Sequence, residues 1–549
     1  MSVEEYYEWL LYIYQRWYSN PKPVVDSVIK QLMREEGLSW EEAVLRLYGK
    51  VYREVYAPVE VKRVIGITDA LGLAWNRFRR SPSLALPVLL GEAAPSLATL
   101  SILLIFFWVL WRLGEASLLS HIVDSVIEGD FTVFASPSIW EVLTPALWLS
   151  FAAVLVFHSL GRAVEAAFAY TMSQEALVSG WTTVRSSWSR AVGSISRAFF
   201  TSFLFSAISY GLPGALILLY VTSNVEAITE EGFLLTLLGM VFAAIAYVLV
   251  AELLFIYSLP SAVIGGNNAV KALIESASLF RRTFIRVLGY LALQVLISIA
   301  ISLIVAVFGA FHILFGEFAS IVTVLCVRPV LLTTLAAIYM SATEREFYTE
   351  SLSEPSIEDV MRKLLSKGLK SLGWVFREPR WFVASVLTLS AGVVLGYFLS
   401  LGDLGRLFSA LSQEEINPIF EEYSRLSIFT DIFFHNWRIV AFTTVSGVYT
   451  FLAPLSIAFL NGVVLGFVGG LVGVKKVVLG ILPHGIIELP SFLAAISAGL
   501  RLSFKLLRGG LGPDELREAA YVAIGLAPFF LVAAFIEAYI TPELLKMLG

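Results

Sequence analysis

VLGYLALQVLISIAISLIVAVFGA, residues 287–310, proceeds from Val287 to Ala310 without one charged side chain. A helix needs about 20 apolar residues to cross the hydrocarbon of a bilayer, and a helix that is apolar on every side finds no wet face to turn outward. Comparable runs fall at 83–111, 141–170, 198–222, 232–260, 285–310, 313–341, 381–402, 437–455, 457–474, 478–500 and 518–540, an expectation of about eleven crossings. Backbone groups in lipid must satisfy one another, and these runs lack the two-residue alternation of an outer-membrane barrel, so each crossing is read as a helix. Composition agrees: 57% of residues are hydrophobic and 15% charged, against about 25% charged in soluble domains. The expected fold class is all-α, a polytopic integral membrane protein with two helix bundles and a small helical N-terminal region.

Charge along the chain gives an expected orientation. Lys62, Arg63, Arg77, Arg79 and Arg80 precede the first run, and Glu115, Asp124, Glu128 and Asp130 follow it. Basic loops face the cytoplasm, so the N-terminus is placed there, in the cell membrane. Arg185, Arg190 and Arg197, then Lys271, Arg281, Arg282 and Arg286, keep the pattern, with Glu226, Glu230 and Glu231 on the other side. Lys475 and Lys476 break it, leaving two readings: a hairpin that does not fully cross, or a local exception. The opening MSVEEYYEWLLYIYQRW has no basic stretch before an apolar core, so no cleaved signal peptide is expected. Cys326, the single cysteine, leaves the redox compartment undecided.

A weak unit recurs ahead of the membrane hairpins. DALGLAWNRFRRSP, EALVSGWTTVRSSW and KALIESASLFRRTF place Ala70–Leu71, Ala176–Leu177 and Ala272–Leu273 at one common interval before Arg79, Arg185 and Arg281, and KGLKSLGWVFREPRW repeats it with Gly368–Leu369 and Arg377. An apolar stripe ending in arginine fits a helix lying in the headgroup layer; it also fits any cytoplasmic segment before a membrane span. Residues 63–342 are read as one six-span domain. Through WNRFRRSP and RPVLLTTLAAIY it loosely resembles the membrane domains found beside glycerophosphodiester phosphodiesterases, which implies architecture and no reaction.

Residues 1–62 read as a soluble helical region. Ser39 and Glu42 form a capping-box signature for WEEAVLRLYGKVYREVY, and Tyr6, Tyr7, Trp9, Tyr12, Tyr14, Trp17 and Tyr18 fit either the core of this small domain or a partner surface. Residues 343–379 read as a cytoplasmic linker with an amphipathic helix, and 380–549 as a five-span domain.

That last domain holds the polar features. HNWRIVAF brings His435, Asn436 and Arg438 to the start of a run; LNGVVLGFVGGLVG spaces Gly462, Gly466 and Gly470 by four after Asn461; ILPHGIIELPSF brackets His484, Gly485 and Glu488 between Pro483 and Pro490. Glycines at that spacing make a helix face that a neighbouring backbone can approach. His484 and Glu488 share a face one turn apart, continued by Ser491, Ala495 and Ala498. Pro483 suits a first helical turn, and Pro490 is expected to break or kink the helix. The three markers, in this order over residues 360–545, resemble the five-span membrane domain of the stage II sporulation protein M family, with histidine at position 435 where relatives more often have a second asparagine. The resemblance implies a membrane organiser that recruits cell-wall hydrolases without being one; the partner does not carry over to this chain.

A charge facing lipid at mid-membrane costs about 2.5–3.5 kcal/mol, so Glu488 is expected to face protein or water. Three uses are open: a structural pair tied to Asn436 or Asn461, a proton, ion or solute pathway at a broken helix, or a metal-dependent hydrolase. The last lacks the paired histidines of H-E-x-x-H, and no resident metal or cofactor is expected. Glu92, Glu252, Arg328 and Glu537 also interrupt apolar runs; Glu252 with Arg328 is a candidate pair, and helix ends reaching the interface are the alternative. The leading expectation is a non-enzymatic scaffold or membrane-remodelling protein, with a transporter or channel second. Its expected partners are the lipid bilayer and, through the N-terminal region, other proteins; nucleic acid is not expected, and glycine seams leave a homo-oligomer open.

Overall fold

The computed structural model describes residues 3–14, 22–37, 39–56, 65–115, 117–228, 230–310, 315–345, 357–412 and 424–548, with helices and turns alone among the described residues. Lys62, Arg63, Trp17, Tyr18 and the side chain of Trp9 lie outside that description. Helices α1 (Val3–Tyr14), α2 (Lys22–Glu36) and α3 (Trp40–Tyr56) close around Leu10, Val25, Ile29, Ala43, Val44 and Leu47. Ser39 caps α3 reciprocally: its amide donates to the Glu42 carboxylate at 2.9 Å, and the Glu42 amide donates to its hydroxyl at 3.3 Å. Donation from the Ser39 amide and hydroxyl to the carboxylate holds the Glu42 carboxyl below its ordinary pKa. Tyr6, Tyr7, Tyr12 and Tyr14 pack on the domain's own core. The Tyr12 ring also meets Trp181, 4.5 Å between centroids, which seats this domain against the end of the first bundle.

Helix α4 (Ile67–Arg80) buries Ala70, Leu73, Ala74 and Arg77. The first bundle then follows as α5 (Pro82–Glu115), α6 (Pro137–Ser179), α7 (Val184–Ser223), α8 (Glu231–Val263), α9 (Ala269–Ala310) and α10 (Gly316–Ala342). The second comprises α11 (Ile357–Phe376), α12 (Pro379–Ser400), α13 (Arg425–Ser446), α14 (Leu452–Val472), α15 (Val474–Leu507) and α16 (Pro513–Leu544). Among the described residues ten helices are long and apolar enough to cross a membrane, against the eleven expected. The helix left out is α13. Asp431, His435, Asn436 and Arg438 make it too polar by composition, and it is enclosed by α5, α10, α15 and α16, which supply what lipid would not.

The four arginine-ended segments do not form a common interfacial unit. The first is α4, packed along α10 rather than lying free among headgroups. The second straddles two helices: Gly180, at φ 83°, ends α6 after Ala176–Leu177, and Arg185 belongs to α7. The third lies inside α9, which kinks at Thr283. The fourth places Gly368–Leu369 on α11, with Arg377 just past its end. Arg185, Arg281 and Arg377 are exposed, and Arg79 is half-buried.

Gly473 alone joins α14 to α15, at φ 93°, a left-handed conformation that glycine adopts without a side-chain clash. Helix α15 has 34 residues, enough to cross in full. Its start lies at the end of the bundles where Arg406 pairs with Asp124 at 2.9 Å and Arg425 with Glu543. By length and composition α15 is able to cross a membrane in full, and Lys475 and Lys476 stand in its first turn. Leu84 and Leu90 of the first bundle share one core with Val440, Phe492 and Leu526 of the second; the Tyr449 hydroxyl donates to the Leu90 carbonyl at 2.6 Å.

Candidate functional site: a polar cluster inside the second bundle

Within α15, His484 is buried and Glu488 half-buried one turn later. The helix runs unbroken through Pro483 and Pro490, contrary to the expected break, and Pro483 sits well inside it rather than in its first turn. Pro483 and Pro490 free the carbonyls of Leu479 and Ile486, which a membrane helix tolerates when neighbours take up the load. Gly485 is buried, and a Cβ there would lie 2.8 Å from the Ile481 side chain.

Two further helices complete the cluster. The Asn436 amide, from α13, donates to Glu488 Oε1 at 2.9 Å, while Glu488 Oε2 is buried with no hydrogen-bond partner. From α16 come Glu537 and Thr541. Glu537 lies in a π turn, Ile536–Ile540, a distortion that re-aims side chains and recurs at functional sites. His484 Nδ1 is 3.4 Å from Thr541 Oγ1, and Nε2 is 3.9 Å from Glu537 Oε2. One ligand atom each from His484, Glu488 and Glu537 lies within 4.8 Å of the other two.

Asn461 does not join them. It faces away and donates to the Ile457 carbonyl of its own helix at 2.7 Å. His435 also points elsewhere: its Nδ1 is 3.2 Å from Glu317 on α10, whose carboxylate also pairs with Arg438 at 2.9 Å. Four consecutive residues of α13 thus reach three helices, since the Trp437 indole donates to the Ala523 carbonyl of α16 at 2.9 Å. Arg438→Gln is expected to leave Glu317 short of its cation and cost about 2 kcal/mol of stability. A lowered unfolding temperature in detergent, restored in part by Glu317→Gln, checks this.

Glu252 and Arg328 do not pair. Arg328 contacts Glu92 and Glu165, and Glu252 meets Arg162 at 3.7 Å and accepts from the Tyr210 hydroxyl. Glu165 and Arg162 were missed because nothing in a sequence says which helices are neighbours; their signal is two opposite charges one turn apart within an apolar run. Gly462, Gly466 and Gly470 do line a seam, against α12: a Cβ at Gly462 would lie 2.2 Å from the Leu389 carbonyl oxygen, at Gly466 1.9 Å from that of Val393, and at Gly470 1.6 Å from Ser400 Oγ. The facing glycines Gly392 and Gly396, unmarked by the sequence reading, carry the same four-residue spacing in AGVVLGYF.

Comparison with known proteins bears on this same region. Residues 385–542 match the family described as stage II sporulation protein M, and that segment contains all five residues of the cluster. A similar curated protein is an uncharacterized protein of Methanocaldococcus jannaschii, 27% identical over 178 residues that cover 30% of this chain and 94% of that one. No solved structure matches the chain.

Proposed function

We propose that the protein is a non-enzymatic organiser of a membrane complex, its stage II sporulation protein M-like module fixed to a six-span bundle. The observation that carries this reading is the way the second bundle closes: α12 and α14 touch backbone to backbone along Gly392, Gly396, Gly462 and Gly466. A seam with no room for a methyl group favours a rigid body over a conduit. The core shared by the two bundles and the pairing of Arg438 with Glu317 support the same view. In this reading the N-terminal helices, seated beside Trp181 at the arginine-rich end, face the cytoplasm by the basic-loop rule and offer the recruiting surface.

The full chain reconstituted into liposomes is expected to leave imposed proton and potassium gradients decaying as they do in protein-free vesicles. In cells, crosslinking is expected to trap it in a complex of constant composition. Saturable flux abolished by Glu488→Gln would replace the organiser with a transporter.

A further inference from the structure

We propose that His484, Glu488 and Glu537 form a binding site for one divalent first-row transition-metal ion, joining α15 to the distal end of α16. The site goes beyond the organiser reading and stands or falls independently of it.

The first observation is the charge imbalance. Glu92 and Glu165 contact Arg328, Glu252 contacts Arg162 and Glu317 contacts Arg438: each of these membrane carboxylates has an arginine. Glu488 and Glu537 have none among the described residues, although they converge within 4.8 Å. Two carboxylates brought together in a low-dielectric interior must be neutralised, by a bound cation or by protons.

The histidine shows where that cation sits. Thr541 Oγ1 lies 3.3 Å from the Ile536 carbonyl oxygen, an acceptor that engages the hydroxyl hydrogen. The hydroxyl oxygen is then left to receive Nδ1–H of His484 at 3.4 Å. That assignment places the proton on Nδ1 and leaves Nε2 with its lone pair, directed at Glu537 from 3.9 Å. A lone pair facing a carboxylate is repulsive unless a metal cation or a proton lies between them, and the dialysis below separates the two.

The surrounding contacts are those of an outer shell that orients ligands. Thr541 fixes the imidazole tautomer, and Asn436 holds Glu488 by Oε1, leaving the buried, unpartnered Oε2 to turn inward. One imidazole and two carboxylates suit Zn²⁺, Mn²⁺ or Fe²⁺ better than a thiolate-seeking ion. Ligands about 2.1 Å from a common ion lie at most about 4.2 Å apart, so loading draws the three side chains slightly together. The ligand that α15 does not itself provide is the Glu537 carboxylate of α16.

The test uses the full chain, purified in detergent and stripped with chelator, with Zn²⁺ and Mn²⁺ as probes and Mg²⁺ as comparison. Equilibrium dialysis with elemental mass spectrometry is expected to find about one Zn²⁺ or Mn²⁺ per chain, with affinity at least tenfold weaker in Glu537→Gln and His484→Gln and about tenfold weaker in Asn436→Ala. Added Zn²⁺ or Mn²⁺ is expected to raise the unfolding temperature of the unsubstituted chain saturably, a readout that stands even if a variant fails to fold. No saturable shift, or retention equal to that of a monodisperse Glu488→Gln/Glu537→Gln variant, overturns the site and leaves the carboxylates neutralised by protons.

Discussion

Arg328→Met is expected to lose about 3 kcal/mol of stability, the lower end of the range for removing one partner of a buried ion pair. The lower end applies because the arginine side chain itself remains 36% exposed, while Glu165 is only 6% exposed. Removing the guanidinium leaves Glu92 and Glu165 together without a cation. A shortened methylene stem is a minor part of the loss, so charge should govern rescue: Glu92→Gln with Glu165→Gln in the Arg328→Met background is expected to recover most of it. Thermal unfolding of the detergent-solubilised chain, with the monodisperse fraction on gel filtration, gives the reading. A triple variant no more stable than Arg328→Met would show that packing, not charge, makes this arginine matter.

Gly466→Ala is expected to be as damaging, at about 3 kcal/mol, and Gly466→Leu to leave little folded protein, because overpacking against an immovable partner forces helices apart. The obstacle is backbone: the added Cβ would stand 1.9 Å from the Val393 carbonyl oxygen, and no rotamer change relieves it. Gly469→Ala is the internal comparison, since a Cβ there meets nothing within 4 Å, and alanine is the better helix former. Equal destabilisation by the two substitutions, measured as unfolding temperature under one condition, would remove the seam as the cause.

The crossing helices were legible because hydrocarbon demands long apolar runs, and α9 declares itself in one unbroken stretch. Helix α13 was counted with a shifted boundary: the run 437–455 joins its apolar second half to the turn before α14, while its polar first half hides a helix that begins at Arg425. The prolines of α15 were misread as a break because a sequence does not show whether neighbours will tolerate freed carbonyls. The arginine-ended segments looked alike because basic amphipathic stretches precede most membrane spans, whatever structure they adopt. At the candidate site, His484 and Glu488 were legible as a one-turn pair and Asn436 as one of two possible anchors. Glu537 stood out as a charge in an apolar run, yet its place beside His484 depends on the π turn and on which helices pack together. Pairing across helices was the illegible part, as Arg328 shows by choosing Glu92 and Glu165 over Glu252.

The polar face of α13 has a consequence for how the protein is made. A helix carrying Asp431 and Arg438, with the polar His435 between them, meets a penalty of about 2.5–3.5 kcal/mol for each of the two charges on its own entry into the bilayer. Glu317, the counterion of Arg438, belongs to α10 and so leaves the ribosome earlier, whereas Glu488 and Ala523, the acceptors for Asn436 and Trp437, are synthesised later. In chain order α13 thus follows the helix that holds its counterion and precedes the two that hold its acceptors. A chain with α10 and α13 separated from one another would have to supply the counterion of Arg438 from another molecule.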